Sequence, residues 1–123
     1  VPRRLLAANK LGEYLSAIAH PRRIQIIEEL RGGETDVGSL KKALKISQSN
    51  VSQHLAVLRG HRVVSERRDG RHVFYRLCSL DLAEWLLEGM RFLPEATPAV
   101  EEVRDALRDA KAAWTPSEMA KRP

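Results

Sequence analysis

The chain of 123 residues has a single cysteine, Cys78, so it can close no disulfide within one molecule and build no cysteine-based zinc cluster. That usage predicts a cytoplasmic protein. Aromatic residues make up only 5% of the sequence, and they form no stacking platform of the kind that reads single-stranded RNA. Nowhere do about 18 uncharged apolar residues follow one another. The opening VPRRLLAANKLGEYL also lacks the long apolar segment of a secretory signal, which predicts a soluble, non-exported chain with no membrane partner. Also missing are a nucleophile with its base, paired carboxylates in a cleft, and a phosphate-cradling glycine loop, so neither an enzyme nor a bound cofactor is predicted. Repeats and low-complexity tracts are absent too.

What is present is enough apolar sequence for a core and an excess of positive charge. Hydrophobic residues are 43% and charged residues 30% of the chain, which excludes a disordered polyelectrolyte, and the length suits one domain. Lysine and arginine number 21 against 16 acidic residues, a formal charge of +5. That balance favours a polyanionic partner such as nucleic acid.

Leu5, Leu11, Tyr14, Leu15 and Ile18 recur at helical spacing and predict an amphipathic helix from about residue 4 to 19. His20-Pro21 interrupts it, and Pro21 opens a second helix, with Ile24, Ile27 and Leu30 on one stripe beside Ile26 and Gly32-Gly33 as its terminator. Asp36 is a candidate N-cap for a short helix carrying Val37, Leu40 and Leu44, and Ser47 for another, SQSNVSQHLAVLRG, with Val51, Leu55 and Leu58 inward. From Val63 the period changes to two on both sides of Arg68-Asp69-Gly70-Arg71, predicting a two-stranded ribbon over about 63 to 78. Asp81 begins a further helix with Leu82, Trp85, Leu86, Met90 and Leu93 on an apolar stripe that needs a partner surface. After Pro94, Thr97-Pro98 restarts helical periodicity to about Ala113, and the tail after Trp114 reads as frayed.

Helices at about 36 to 45 and 47 to 60, separated by a couple of residues, have the spacing of a helix-turn-helix. The second presents Gln48, Ser49, Asn50, Ser52, Gln53 and His54, uncharged groups able to donate and accept hydrogen bonds at base edges. Taken alone, that face fits an ordinary solvated surface equally well. The following stretch holds Arg59, Arg62, Arg67, Arg68, Arg71 and Arg76 against Glu66 and Asp69, six positive charges to two negative. Guanidinium groups at a hairpin tip can grip phosphates or enter a narrow minor groove, whereas protecting a sheet edge would need only one or two charges.

The words LSAIAHPRRIQIIEELRGG, ISQSNVSQHLAVLRG and VVSERRDGRHVFYRL, in this order and spacing, are similar to the ArsR/SmtB-type winged helix-turn-helix repressors of bacteria and archaea. The resemblance runs from about Leu11 to Leu93. It implies a mainly α fold with a small β-hairpin wing, and a dimeric, DNA-binding repressor on an imperfect palindromic operator. It also implies that Gln48, Ser49, Ser52 and Gln53 read bases and contact phosphates, beside Asn50, His54 and Arg59, with Arg67, Arg68, Arg71 and His72 contributed by the wing. The first helix and the helix after the wing would pair with their counterparts in the other subunit through Leu11, Leu15, Leu82, Trp85, Leu86, Met90 and Leu93. Residues 1–93 would form this domain and 94–123 a C-terminal extension.

The sensing sites that the family uses are lacking. ETDVGSLKKAL contains no cysteine pair, and DLAEWLLEGMRFL offers Asp81, Glu84 and Glu88 but no histidine. His20 is expected to end a helix and bond to backbone, so no metal site is predicted and the effector stays unassigned. Cys78 alone cannot close an intrachain bridge; it is either a half-buried spacer or a redox reporter acting by oxidation or an intersubunit bond. The alternative to a repressor is a winged-helix module that binds protein.

Overall fold

The computed structural model describes residues 2–94 and, beyond them, Pro98, Glu101, Glu102 and Asp105. Apart from those four positions, the helix expected from Pro98 to Ala113 and the tail after it lie outside the described residues.

Helix α1 spans Arg3–Ile18 and α2 spans Pro21–Leu30. Between them His20 is extended, as a residue preceding proline must be, and its Nδ1 accepts a hydrogen bond from the Arg22 backbone N–H at 3.0 Å. His20 is therefore the N-cap of α2, and Pro21 at the first helical position needs no N–H partner. A two-residue strand β1, Thr35–Asp36, leads into α3, Val37–Leu44. Asp36 caps α3 by accepting from the Ser39 N–H and hydroxyl, and that bond holds its carboxyl below the ordinary aspartate range.

Lys45 ends α3 in the left-handed region, at φ 56°, and Ser47, the last of the three residues between the helices, caps α4, Gln48–Gly60, by accepting from the Asn50 N–H at 3.1 Å. Strands β2, Val64–Asp69, and β3, His72–Leu77, form the hairpin. Its turn is Gly70-Arg71, and Gly70 at φ 61° takes the left-handed conformation required at the first central position. Helix α5 covers Asp81–Gly89 and closes in a 3₁₀ turn, Met90–Phe92, so the helix expected to reach Leu93 is shorter than its apolar stripe.

The sheet has three strands rather than the two expected, in the order β1-β3-β2, all antiparallel. Thr35 and Asp36 pair with Tyr75 and Phe74. Two residues carry no readable period, which is why β1 is invisible in the sequence. It covers one edge of β3 and roots the hairpin beside α3.

The core joins Ile18, Ile26, Ile27, Leu30, Leu40, Leu44, Val51, Leu55, Leu58, Val63, Val64, Leu77 and Ala83. Val51, Leu55 and Leu58 face inward as their spacing predicts, whereas Ile24 is 44% exposed and leaves the stripe assigned to it. One apolar set remains uncovered: Leu11, Trp85 and Leu93 are each about half exposed, with Leu15, Leu82, Leu86 and Met90 partly buried. Among the described residues no helix is long and apolar enough to cross a membrane.

Candidate nucleic-acid interface

Burial of Val51, Leu55 and Leu58 leaves the opposite side of α4 to solvent. Gln48, Ser49, Asn50, Ser52 and Gln53 are all exposed there, over its first two turns. Their side chains carry no net charge, so they can form hydrogen bonds to neutral groups without burying an unpaired ion.

His54 departs from this row. It is half-buried against α2, where its Nδ1 accepts from Arg23 Nε at 3.2 Å and its ring lies 4.5 Å from the ring of His20. Burial first, then the charges of His20, Arg23 and Arg22, push its pKa below the ordinary imidazole value. The histidine expected beside the base-reading residues is thus engaged in a contact between helices.

The arginines divide into two groups. Arg59 pairs with Glu66 at 2.8 Å, and Glu66 also accepts from the Tyr75 hydroxyl at 3.1 Å. Burial and this bond together raise the Tyr75 pKa. Arg67 forks onto Glu34 at 2.6 to 3.1 Å while its guanidinium lies 4.7 Å from the centre of the Phe74 ring. The same fork holds the Glu34 carboxyl below the ordinary range. Arg76 donates to Ser65 at 3.2 Å. Arg59 and Arg67, expected to contact nucleic acid, are thus already engaged within the chain.

Arg68, Arg71 and His72 stand exposed at the hairpin tip, and Arg68 and Arg71 take no part in the ion pairs of the described residues. Register explains the division. Directly opposed residues share a face, so Val64, Glu66 and Arg68 lie with Leu77, Tyr75 and Val73, the face tied to α4 by Arg59. Arg67 lies with Phe74 on the other face. The wing therefore turns Arg68 toward the α4 side and Arg67 away from it.

Three positioning residues escaped sequence reasoning. Arg22 Nη1 donates to the Leu44 carbonyl at 3.1 Å, satisfying the end of α3. Arg23 Nη1 donates to the Ala17 carbonyl at 3.0 Å while its Nε holds His54. Glu34 braces the wing through Arg67. A signal for the first two existed: α2 has two arginines and no acidic residue in its first turn, against its dipole, unless those cations are used elsewhere. Glu34 gave none, because its partner is 33 residues away.

The thiol of Cys78 is exposed at the end of β3, which overturns the half-buried reading. Among the described residues, no three or more of histidine, cysteine, aspartate and glutamate gather into a group that could hold a metal ion.

Residues 20–66, from the cap of α2 into the wing, match the model of the bacterial regulatory protein, arsR family. Over the wider domain the chain is similar to the crystal structure of NolR from Sinorhizobium fredii, at TM-score 0.66 and 36% identity, covering 73% of this chain and 89% of that one. The chain belongs to the ArsR family. Another relative, the HTH-type transcriptional repressor SmtB of Mycobacterium tuberculosis, is 43% identical over 89 residues, 72% of this chain and 64% of SmtB. The chain thus spans just under two thirds of the length of that relative. It is also similar to the homodimeric winged helix-turn-helix DNA-binding domain of Mb0332 from Mycobacterium bovis, at TM-score 0.62 and 27% identity, covering 69% of this chain and 79% of that one. In this ArsR-family chain α3 and α4 are the helix-turn-helix and β2 and β3 the wing.

Proposed function

We propose that this chain is a cytoplasmic, homodimeric repressor that binds an imperfect palindrome in double-stranded DNA and catalyses no reaction. The observation that carries this reading is the exposed, uncharged row Gln48, Ser49, Asn50, Ser52 and Gln53 on α4, together with the exposed cations Arg68 and Arg71 of the wing. Glutamine can pair bidentately with adenine in the major groove. Arginines that contact phosphate add affinity without sequence preference. The kinship with a named repressor and with a homodimeric DNA-binding domain supports carrying both properties to this chain.

The uncovered apolar residues support the dimer. Trp85 and Leu11 at 53% and 54% exposure would be costly to leave in water, and pairing α1 and α5 with a second copy would bury them. Two-fold symmetry would then set two recognition helices about 34 Å apart, one turn of DNA. The metal and thiol sensing sites of the family have no counterpart in the sequence, so the effector is proposed to be neither zinc nor a cysteine-pair oxidant.

Selection of bound duplexes from a random pool tests this. A palindromic winner, with affinity unchanged by zinc or oxidant, is the expected outcome. Failure to enrich any motif would overturn the repressor reading in favour of a protein-binding module.

A further inference from the structure

We propose that Arg23 is a positioning residue for the recognition helix, holding α4 against α2 through His54, and that protonation of His54 releases this latch. The proposal rests on the DNA-binding reading for its functional consequence, but the latch itself is a property of the free protein.

The geometry defines one protonation state. Arginine has donors only, so Nδ1 of His54, which receives the Nε–H of Arg23, must carry a lone pair and the ring must be neutral with its proton on Nε2. Nδ1 of His20 is likewise committed as an acceptor, to the Arg22 N–H. Arg23 cannot easily turn away, because its Nη1 is bound to the Ala17 carbonyl at the end of α1. One guanidinium therefore joins the end of α1, the start of α2 and the middle of α4. A proton on His54 would place a donor against a donor and a second cation beside Arg23.

The packed helices carry Glu13 on α1 and Glu28 and Glu29 on α2, and none of these carboxylates is among the charges acting on the His54 ring. The charges acting on the ring are those of His20, Arg23 and Arg22 from the α2 side. Helix α3 carries Lys41 and Lys42, and Glu66 of β2 is taken up by Arg59 and Tyr75. The depressed pKa of His54 agrees with this environment. By linkage, a histidine whose folded pKa lies below its unfolded value supplies stability above about pH 6.5, lost as pH falls through the folded value.

His54 directly follows Gln53 and lies one turn after Asn50, so loosening it disturbs the row that would read bases. Two effects of acid on DNA binding then have opposite signs. A new positive charge near a polyanion raises affinity for any sequence. Release of α4 lowers only the preference for the correct one.

The readout is therefore the ratio of affinities for the selected and a random duplex, at constant ionic strength, between about pH 8 and pH 5.5. This ratio cancels any general gain in affinity from added positive charge. It should fall on the order of tenfold in acid, the scale of one hydrogen bond to a charged group. His54→Asn keeps an acceptor for Arg23 but cannot titrate, and its ratio should not change with pH. Arg23→Met should also give a flat ratio, at a level near that of the acidified parent.

In the free protein, imidazole nitrogen shifts should show His54 titrating together with a rise in amide exchange along α4. Titration of His54 with unchanged α4 exchange would overturn the latch, as would a pH-dependent ratio retained in His54→Asn. If no duplex is selected at any pH, the DNA-binding reading fails, while the exchange measurement still decides the latch.

Discussion

Arg59 and Glu66 meet at 2.8 Å, tying the last turn of α4 to the strand that carries the wing. With side chains 51% and 25% exposed, the pair contributes at most about 1 kcal/mol to stability. Its geometric effect is larger, because Glu66 also holds the Tyr75 hydroxyl and so orients the wing face that bears Arg68.

Gln53→Ala should weaken binding to the selected duplex by about 1 to 3 kcal/mol and leave the salt dependence nearly unchanged. Titrations at several salt concentrations check this; equal losses on selected and random duplexes would remove Gln53 from base reading.

Arg71→Ala and Arg67→Ala should differ although both remove one wing cation. Arg71 is exposed and outside the ion pairs, so its loss should lower the salt slope by about one unit. Arg67 is already neutralised by Glu34 and should change the slope less.

Glu34→Gln should flatten the acid limb of thermal stability. Arg67 holds the Glu34 carboxyl below its ordinary value, and a carboxylate so lowered stabilises the fold above its unfolded pKa, with that gain lost as pH falls through the folded one. Melting curves between about pH 6 and pH 3 should show a steeper decline for the parent than for the variant.

Trp85→Glu should leave the subunit folded, because the side chain is 53% exposed in a single chain, yet convert the proposed dimer to monomer and abolish full-site binding. Sedimentation with circular dichroism separates these outcomes; a dimer that persists would place the interface elsewhere.

Leu55→Ala should cost about 2 to 5 kcal/mol in urea denaturation, since Leu55 is fully buried at the centre of the core. Leu11→Ala, at an exposed position, should cost a folded monomer far less.

Much of this was legible in the chain because the signals are local. Asp36 and Ser47 cap the helices that follow them, Gly70 turns the hairpin one residue after Asp69, and Val51, Leu55 and Leu58 announce the inner side of α4 by spacing alone. Each depends on neighbours within about one helical turn or one hairpin, where backbone geometry translates directly into residue spacing.

Sequence by itself determined the element types, the polar row on α4 and the concentration of arginine near the wing, since these follow from periodicity and composition. Tertiary structure decided which of those groups are free. Glu34 reaches Arg67 across 33 positions and Arg23 reaches His54 across 31, and pairings so distant leave no periodic trace. Hydrogen bonds and charge neutralisation require contact in space, so only folding could engage Arg59, Arg67 and His54 with partners inside the chain while leaving Arg68 and Arg71 outside its ion pairs.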